Sequence, residues 1–212
     1  GASMVCDRRF AEFIVMRAGT GMMAAGGPPV VKAATGVEVT KEALGGIEIH
    51  AVHSGIVDRV AQTDEEAIEL ARRFLSYLPG NAWSYPPQVA ARDAEPIDLN
   101  TVMPSAPRRP FDVKKVIRGI VDADSFFEIK LDHARMLVTG LARVDGHPVG
   151  LIANQSMVYA GALTAAAARK ARRFIDLCSA YHLPLITLQD VPGVMTGPQA
   201  EKEGTLREGL AV

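Results

Sequence analysis

The sequence predicts an α/β fold, and three observations predict it. An apolar strand at 149–153, a long alanine-rich amphipathic helix at about 164–181 and a second apolar strand at 183–188 follow one another, the order of a crossover unit. The run Thr63-Asp64-Glu65-Glu66 is a capping box that opens another helix. Between these regions the composition shifts at 79–110, where seven of the chain's 13 prolines stand, as in a linker between two domains.

Bulk properties bound the reading. Of 212 residues, 48% are hydrophobic and 22% charged, enough apolar surface for a buried core and unlike a disordered chain. With 23 basic and 24 acidic residues the net charge is -1, which lacks the positive footprint of a nucleic-acid binder. No apolar run reaches the roughly 18 residues that cross a bilayer, so no membrane partner is expected. Cys6 and Cys178 form no metal-ligand spacing, and a reduced intracellular setting is the reading. A cytoplasmic protein is expected, or a piece whose targeting segment is missing, and Gly1-Ala2-Ser3-Met4 reads either as an expression scar before an initiator methionine or as native sequence.

Taken in order, residues 10–16 read as a short buried strand, and the glycines of 19–27 as a loop. Pro28-Pro29 opens a short helix that Gly36 closes, and 40–45 is a second one. Residues 47–52 alternate apolar and polar, as a strand does, up to Ser54-Gly55. From the capping box, Ile68, Ala71, Leu75 and Leu78 recur at helical spacing and define a core-facing stripe that Pro79-Gly80 stops. After the prolines, 112–121 reads as a helix, 125–129 and 136–144 as strands, and Gly146-His147-Pro148 as a tight turn.

Two polar tips, Asn154-Gln155 and Gln189-Asp190, end the two strands that flank the long helix. Two readings stand for Asp190-Val191-Pro192-Gly193: a plain tight turn, and one wall of a pocket shared with Asn154-Gln155 at the sheet edge. The glycines of 19–27 match neither G-x-G-x-x-G nor G-x-x-x-x-G-K-[ST], so they read as turns. His50 and His53 lack a third metal ligand and read as an exposed strand-end pair. Arg169, Lys170, Arg172 and Arg173 read as the solvated face of the long helix. No G-x-S-x-G elbow is present, and no side-chain acid-base machinery announces itself.

The segments Gly27-Pro28-Pro29-Val30-Val31-Lys32-Ala33-Ala34-Thr35-Gly36, Leu44-Gly45-Gly46, His53-Ser54-Gly55 and Phe74-Leu75-Ser76-Tyr77-Leu78-Pro79 carry a resemblance. So do Phe111-Asp112-Val113, Phe127-Glu128-Ile129, Val149-Gly150, Asn154-Gln155, Ala160-Gly161-Ala162-Leu163 and Asp190-Val191-Pro192-Gly193. Together, in order and over essentially the whole chain, they resemble the carboxyltransferase (beta) subunits of biotin-dependent acyl-CoA carboxylases, of propionyl-CoA and methylcrotonyl-CoA type. Each motif is weak; the ordered series is specific.

The resemblance implies two crotonase-like (ClpP/crotonase) β-β-α superhelix domains, each incomplete in this chain. Residues 1–78 would be the end of an acyl-CoA-binding domain, 79–110 the linker, and 111–212 the start of a biotin-binding domain. It implies transfer of carboxyl from carboxybiotin to an acyl-CoA. Carboxybiotin releases carbon dioxide, the biotin nitrogen takes the α-proton, and backbone amides hold the enolate oxygen; one such donor contributes about 3 to 4 kcal/mol. The implied cofactor is biotin on a carrier protein, the substrate an acyl-CoA, with no metal in this component. The implied partners are a biotin carboxylase and a biotin carboxyl carrier (alpha) subunit, within a dimer-based hexamer. The bacterial cytoplasm or the mitochondrial matrix is the implied compartment.

Residue by residue, Gly1 and Ala2 resemble the end of the first domain's oxyanion loop, and Asn154, Gln155, Asp190, Val191, Pro192 and Gly193 resemble the loops beside the biotin pocket. Val194-Met195-Thr196-Gly197-Pro198 is nearer the methylcrotonyl type, whereas Phe127-Glu128-Ile129 and Asn154-Gln155 are nearer the propionyl type, so the acyl group stays open. The alternatives are a biotin-dependent decarboxylase subunit of similar sequence, an inactive fragment of the same family, and an enoyl-CoA hydratase or isomerase. The last would carry a single domain, against which the proline-rich segment argues. By itself the chain is expected to show no turnover.

Overall fold

A computed structural model describes residues 11–81, 83–104 and 109–212. The chain divides into two compact units, Gly1–Arg73 and Phe74–Val212.

In the first unit, strand β1 (Val15–Arg17) begins where the predicted 10–16 strand ends. Helix α1 (Pro28–Thr35) carries two prolines in its first turn, where a missing N–H leaves nothing unsatisfied, and Gly36 ends it at φ 75° with its N–H on Lys32 O. Helix α2 (Lys41–Gly45) is capped by Thr40, whose Oγ1 accepts from Ala43 N at 3.1 Å. Strand β2 (Arg59–Ala61), which the sequence did not announce, pairs in parallel with β1.

Residues 47–52 are not the expected strand: Glu48–His53 form a π-helix. Ile47 and Ala51, four apart, both join a core with Met16 and Val57, so the packing selects helical spacing over the alternation. Ser54 N closes the wide turn on Ile49 O at 2.8 Å. His50 is correspondingly no exposed strand-end residue. Its Nε2 donates to Met23 O at 2.7 Å, and Ser54 Oγ lies 3.0 Å from its Nδ1.

Helix α3 (Asp64–Leu75) starts at the predicted box. Thr63 Oγ1 accepts from Glu66 N at 3.1 Å, and the Glu66 carboxylate reaches Gln62 N at 2.6 Å, one residue earlier than in the standard pairing. Hydrogen bonds from the backbone and the Thr63 hydroxyl hold the Glu65 carboxyl below the usual range. The buried stripe contains Leu70 and Phe74, while Ile68 (54% exposed) and Leu75 (63%) face outward. Both stripes have helical spacing, so the period alone did not decide which one turns inward.

The proline-rich segment contains a short helix, α4 (Leu99–Val102), and bonds to other residues of the second unit. Val89 N bonds Gly146 O at 3.1 Å, Glu95 N bonds Arg118 O at 3.2 Å, and Ala123 N bonds Asp93 O at 3.3 Å. The Arg143 guanidinium donates to Ser76 O at 2.7 Å, Pro87 O at 2.9 Å and Gly146 O at 3.1 Å, and lies 5.0 Å from the Tyr77 ring centre.

Helix α5 (Val113–Arg118), capped by Asp112, precedes strands β3 (Phe127–Ile129), β4 (Leu137–Val144) and β5 (His147–Asn154), which pair antiparallel in that order. The β4–β5 turn lies at Asp145-Gly146, one residue before the predicted position. Both residues have positive φ, 51° and 75°, as a two-residue hairpin requires. Helix α6 (Ala165–Ala180), capped by Thr164, crosses to strand β6 (Leu185–Leu188), which lies parallel to β5, as the strand-helix-strand order predicted. Two short helices follow, α7 (Pro198–Lys202) and α8 (Thr205–Gly209), the latter beside α6.

One face of the sheet buries Val138, Ala142, Val149, Leu151 and Ala153 against Val113 and Ile117 of α5. The other face meets α6 through Met136, Leu137, Ala167 and Ala171. Gly150 lies under α6, where an added Cβ would collide with Cys178 Sγ. No side chain fits there.

Candidate functional site

The parallel pairing of β5 with β6 brings the two predicted polar tips to one edge. Asp190 N donates to Asn154 Oδ1 at 3.4 Å, and Asn154 Nδ2 donates to Gly161 O at 3.0 Å. Gly161 (φ 75°) follows Tyr159 and Ala160, themselves at φ 47° and 53°. A Cβ on Gly161 would sit 2.8 Å from Asp190 O, so the crossing of the two loops requires glycine here. Leu163 N bonds Gly193 O at 3.0 Å and Met195 N bonds Leu163 O at 2.8 Å, which ties the loop after β6 to the start of α6.

Gln155 faces the other way. Its Nε2 donates to Asp112 Oδ1 at 2.7 Å, while its Oε1 accepts from Val113 N at 3.4 Å and its own N–H bonds Met136 O at 2.9 Å. It lines a cleft of about 230 Å³ with Asp112, Lys114, Glu128, Arg135 and Met157, in which Lys114 and Glu128 pair at 2.7 Å. Of the predicted site residues, Asn154 and Asp190 are therefore joined. Gln155 belongs to a neighbouring cleft, and Val191, Pro192 and Gly193 form the exposed rim. Gly1 and Ala2 lie outside the described residues.

Asp112 and Gly161 also form the site, and their sequence signals are an Asp just before a helix and a glycine two positions after a tyrosine. Lys170 was misplaced. It is not on the solvated face but 3% exposed on the core-facing stripe of α6, whereas Arg169 and Arg172 are exposed as expected, Arg173 is half-buried, and Arg169 stands 3.7 Å from Glu208. Burial pushes the Lys170 ammonium down to about 7. It also pushes the Cys178 thiol up to about 12, an inert state for a cysteine. Among the described residues, no three metal-ligating side chains gather, and no helix is long and apolar enough to cross a membrane.

Residues 7–212 match the profile of a family described as carboxyl transferase domain. The carboxyltransferase subunit of propionyl-CoA carboxylase from Haloferax mediterranei is 39% identical over 201 residues, which are 93% of this chain and 39% of that one. The beta5 subunit of a biotin-dependent acetyl-/propionyl-coenzyme A carboxylase from Mycobacterium leprae is 36% identical over 208 residues, 93% and 38% of the two chains. Transcarboxylase 12S, a hexamer solved with methylmalonyl-coenzyme A and methylmalonic acid bound, superposes with a TM-score of 0.89 at 37% identity, over 95% of this chain and 39% of that one. The chain thus spans about two fifths of the length of these relatives. Its α/β architecture is the crotonase type that the motif series implied. The chain belongs to the carboxyl transferase domain family.

Proposed function

We propose that this chain forms part of the carboxyltransferase component of a biotin-dependent acyl-CoA carboxylase, and that the edge built by Asn154 and Asp190 to Gly193, with the Gln155 cleft beside it, borders the biotin pocket. The observation that carries the reading is the Asp190–Asn154 hydrogen bond, which makes one continuous edge from two strand ends 36 residues apart. Ligands of open α/β sheets sit at such carboxyl ends.

The residues at this edge fit a flat, mostly apolar ring with one polar urea group. Met157, Tyr159, Val191 and Val194 expose apolar surface beside it, and an added Cβ on Gly193, at φ 138°, would meet open space. Glycine leaves the backbone N–H at 193 unshielded, so that donor can meet an oxygen directly, whereas Pro192 has no N–H to offer. Asn154 spends both its amide groups on fixing the Asp190 and Gly161 loops, which makes it a holder of the rim. Biotin, when bound, supplies the transferable carboxyl group and the nitrogen that takes a proton from the acyl-CoA. The acyl-CoA is proposed to bind elsewhere in the assembled enzyme, on the part that includes Gly1 and Ala2. A biotin carboxylase and a biotin carrier are the proposed partners, and a hexamer like that of transcarboxylase 12S the proposed assembly.

The test is carboxylation of propionyl-CoA and acetyl-CoA by the assembled enzyme carrying N154A or D190A. A rise in KM for the carrier or for free biotin, with KM for acyl-CoA unchanged, supports the assignment. A rise confined to acyl-CoA contradicts it.

A further inference from the structure

Lys170 is a lysine on the apolar stripe of α6, with Ala167 and Ala171 buried beside it. Its Nζ donates to three backbone carbonyls, Lys130 O at 2.8 Å, His133 O at 2.8 Å and Leu137 O at 2.6 Å. Lys130 and His133 lie in the turn between β3 and β4, and Leu137 opens β4. Three acceptors match the three N–H donors of an ammonium; a neutral amine has two and would turn its lone pair on the third oxygen. The turn contains Lys130 and Ala134 at φ 57° and 45°, conformations that L side chains rarely adopt. It therefore needs something to hold it.

The far end of this turn is attached to the candidate site. Leu137 pairs with Asn154 across β4 and β5, and Met136 O accepts from Gln155 N. Leu131 and Arg135 of the same turn line the cleft that Gln155 shares. The proposed biotin edge is thus connected to the ammonium through two backbone links.

We propose that Lys170 is a positioning residue for the biotin edge: its ammonium acts as a tethered monovalent cation that clamps the carbonyls of residues 130, 133 and 137, and so sets Asn154 and Gln155. The proposal rests on the assignment of that edge to biotin. The clamp needs its proton, and burial opposes that proton. Glu128 of β3 and Asp132 of the turn favour it, whereas Lys130 of the turn and Lys114 of α5 disfavour it. His133 and Arg135 are the other titratable side chains of the turn. The clamp consequently loosens as pH rises through about 7.

The test compares K170M, K170A, N154A and Q155A in the assembled enzyme. K170M keeps the stem and removes the charge; it is expected to raise KM for free biotin on the order of 10-fold or more, as for ångström-scale misplacement, with KM for acyl-CoA unchanged. K170A is expected to regain biotin use when methylammonium is added, and K170M, whose own methyl fills the space, is not. If N154A or Q155A raises KM for biotin and K170M does not, the positioning role is overturned while the site assignment stands. If neither N154A nor Q155A moves it, the site assignment falls and the proposal with it. Should the Lys170 variants not fold, hydrogen exchange of the wild-type enzyme decides. Protection of the Gln155 amide relative to that of Leu151 must drop between pH 6 and pH 8, about one unit either side of the titration; constant relative protection overturns the clamp.

Discussion

Asp190 donates its backbone N–H to the side-chain oxygen of Asn154 at 3.4 Å, and the other half of that same amide holds Gly161 O at 3.0 Å. One side chain thereby sets three loops: the end of β5, the entry to α6 and the exit from β6. In N154A the Gly161 carbonyl and the Asp190 amide lose their partner together. Leaving such groups unsatisfied costs about 1–3 kcal/mol. Thermal unfolding should show a lowered Tm for N154A, with N154D, which keeps the acceptor but lacks the donor, in between. An N154A protein as stable as wild type would contradict this account of the edge.

The contact between Gly150 and Cys178 makes a prediction about packing. G150A forces a methyl group into the sulfur of Cys178, and overpacking of this kind costs about 1–3 kcal/mol. The double substitution G150A/C178A vacates the space, so it should be more stable than the sum of the single changes implies. Denaturant midpoints of the four proteins measure the coupling, and simple additivity would show that Cys178 does not limit the site.

Arg143 makes a prediction about the proline-rich segment. Its guanidinium binds Ser76 O, Pro87 O and Gly146 O, so R143M removes the donor that joins the three carbonyls, leaves Gly146 O with Val89 N, and loosens the chain before and within that segment. Hydrogen bonds to a charged group contribute about 1.5–3 kcal/mol. Limited proteolysis should cut R143M within 79–91 at a rate that wild type resists. Equal cutting of both proteins would mean that the segment is held by its backbone bonds alone.

Lys170 gives stability a dependence on pH whose sign is unusual for a hydrogen-bonded side chain. Its value falls from 10.5 to about 7 in the folded protein. Between these limits the unfolded chain holds a proton that the folded chain has released, so this group makes folding more favourable as pH climbs from about 7 to 10.5. Below about 7 the charge is buried in full and that contribution is absent. Denaturant unfolding across this range should show the wild type gaining on K170M as pH rises. A constant difference between the two proteins would show that Lys170 does not titrate there.

Much of this architecture was legible because its local signals agree with its packing. Thr164 before an alanine-rich stripe, Thr63 with Glu66, and the Pro28 and Gly36 pair all mark helix ends at the positions observed. The 47–52 segment was not legible, because six residues satisfy the strand and helix periods alike and only the core around Met16 and Val57 decides between them. For α3, two stripes of equal period competed, and Leu70 with Phe74 turned inward in place of Ile68 and Leu75. The attachments of the proline-rich run were not legible, because they are backbone bonds to distant residues and an arginine more than fifty residues away. Lys170 lay hidden in a basic cluster. The spacing of Ala167, Lys170, Ala171 and Phe174 placed it on the buried stripe, but a lysine is so rarely buried that its charge outweighed its position. At the candidate site, the strand ends were legible from their polar tips, and the split between Asn154 and Gln155 was not, since adjacent residues of a strand point to opposite faces.

The central claim is that the edge joined by Asn154 and Asp190 receives biotin, and the most direct measurement is an amide NMR titration of the protein with biotin methyl ester. The account predicts shifts concentrated at residues 154–161 and 189–195, weakened in N154A. Shifts confined to other residues, or an unchanged response in N154A, would contradict it.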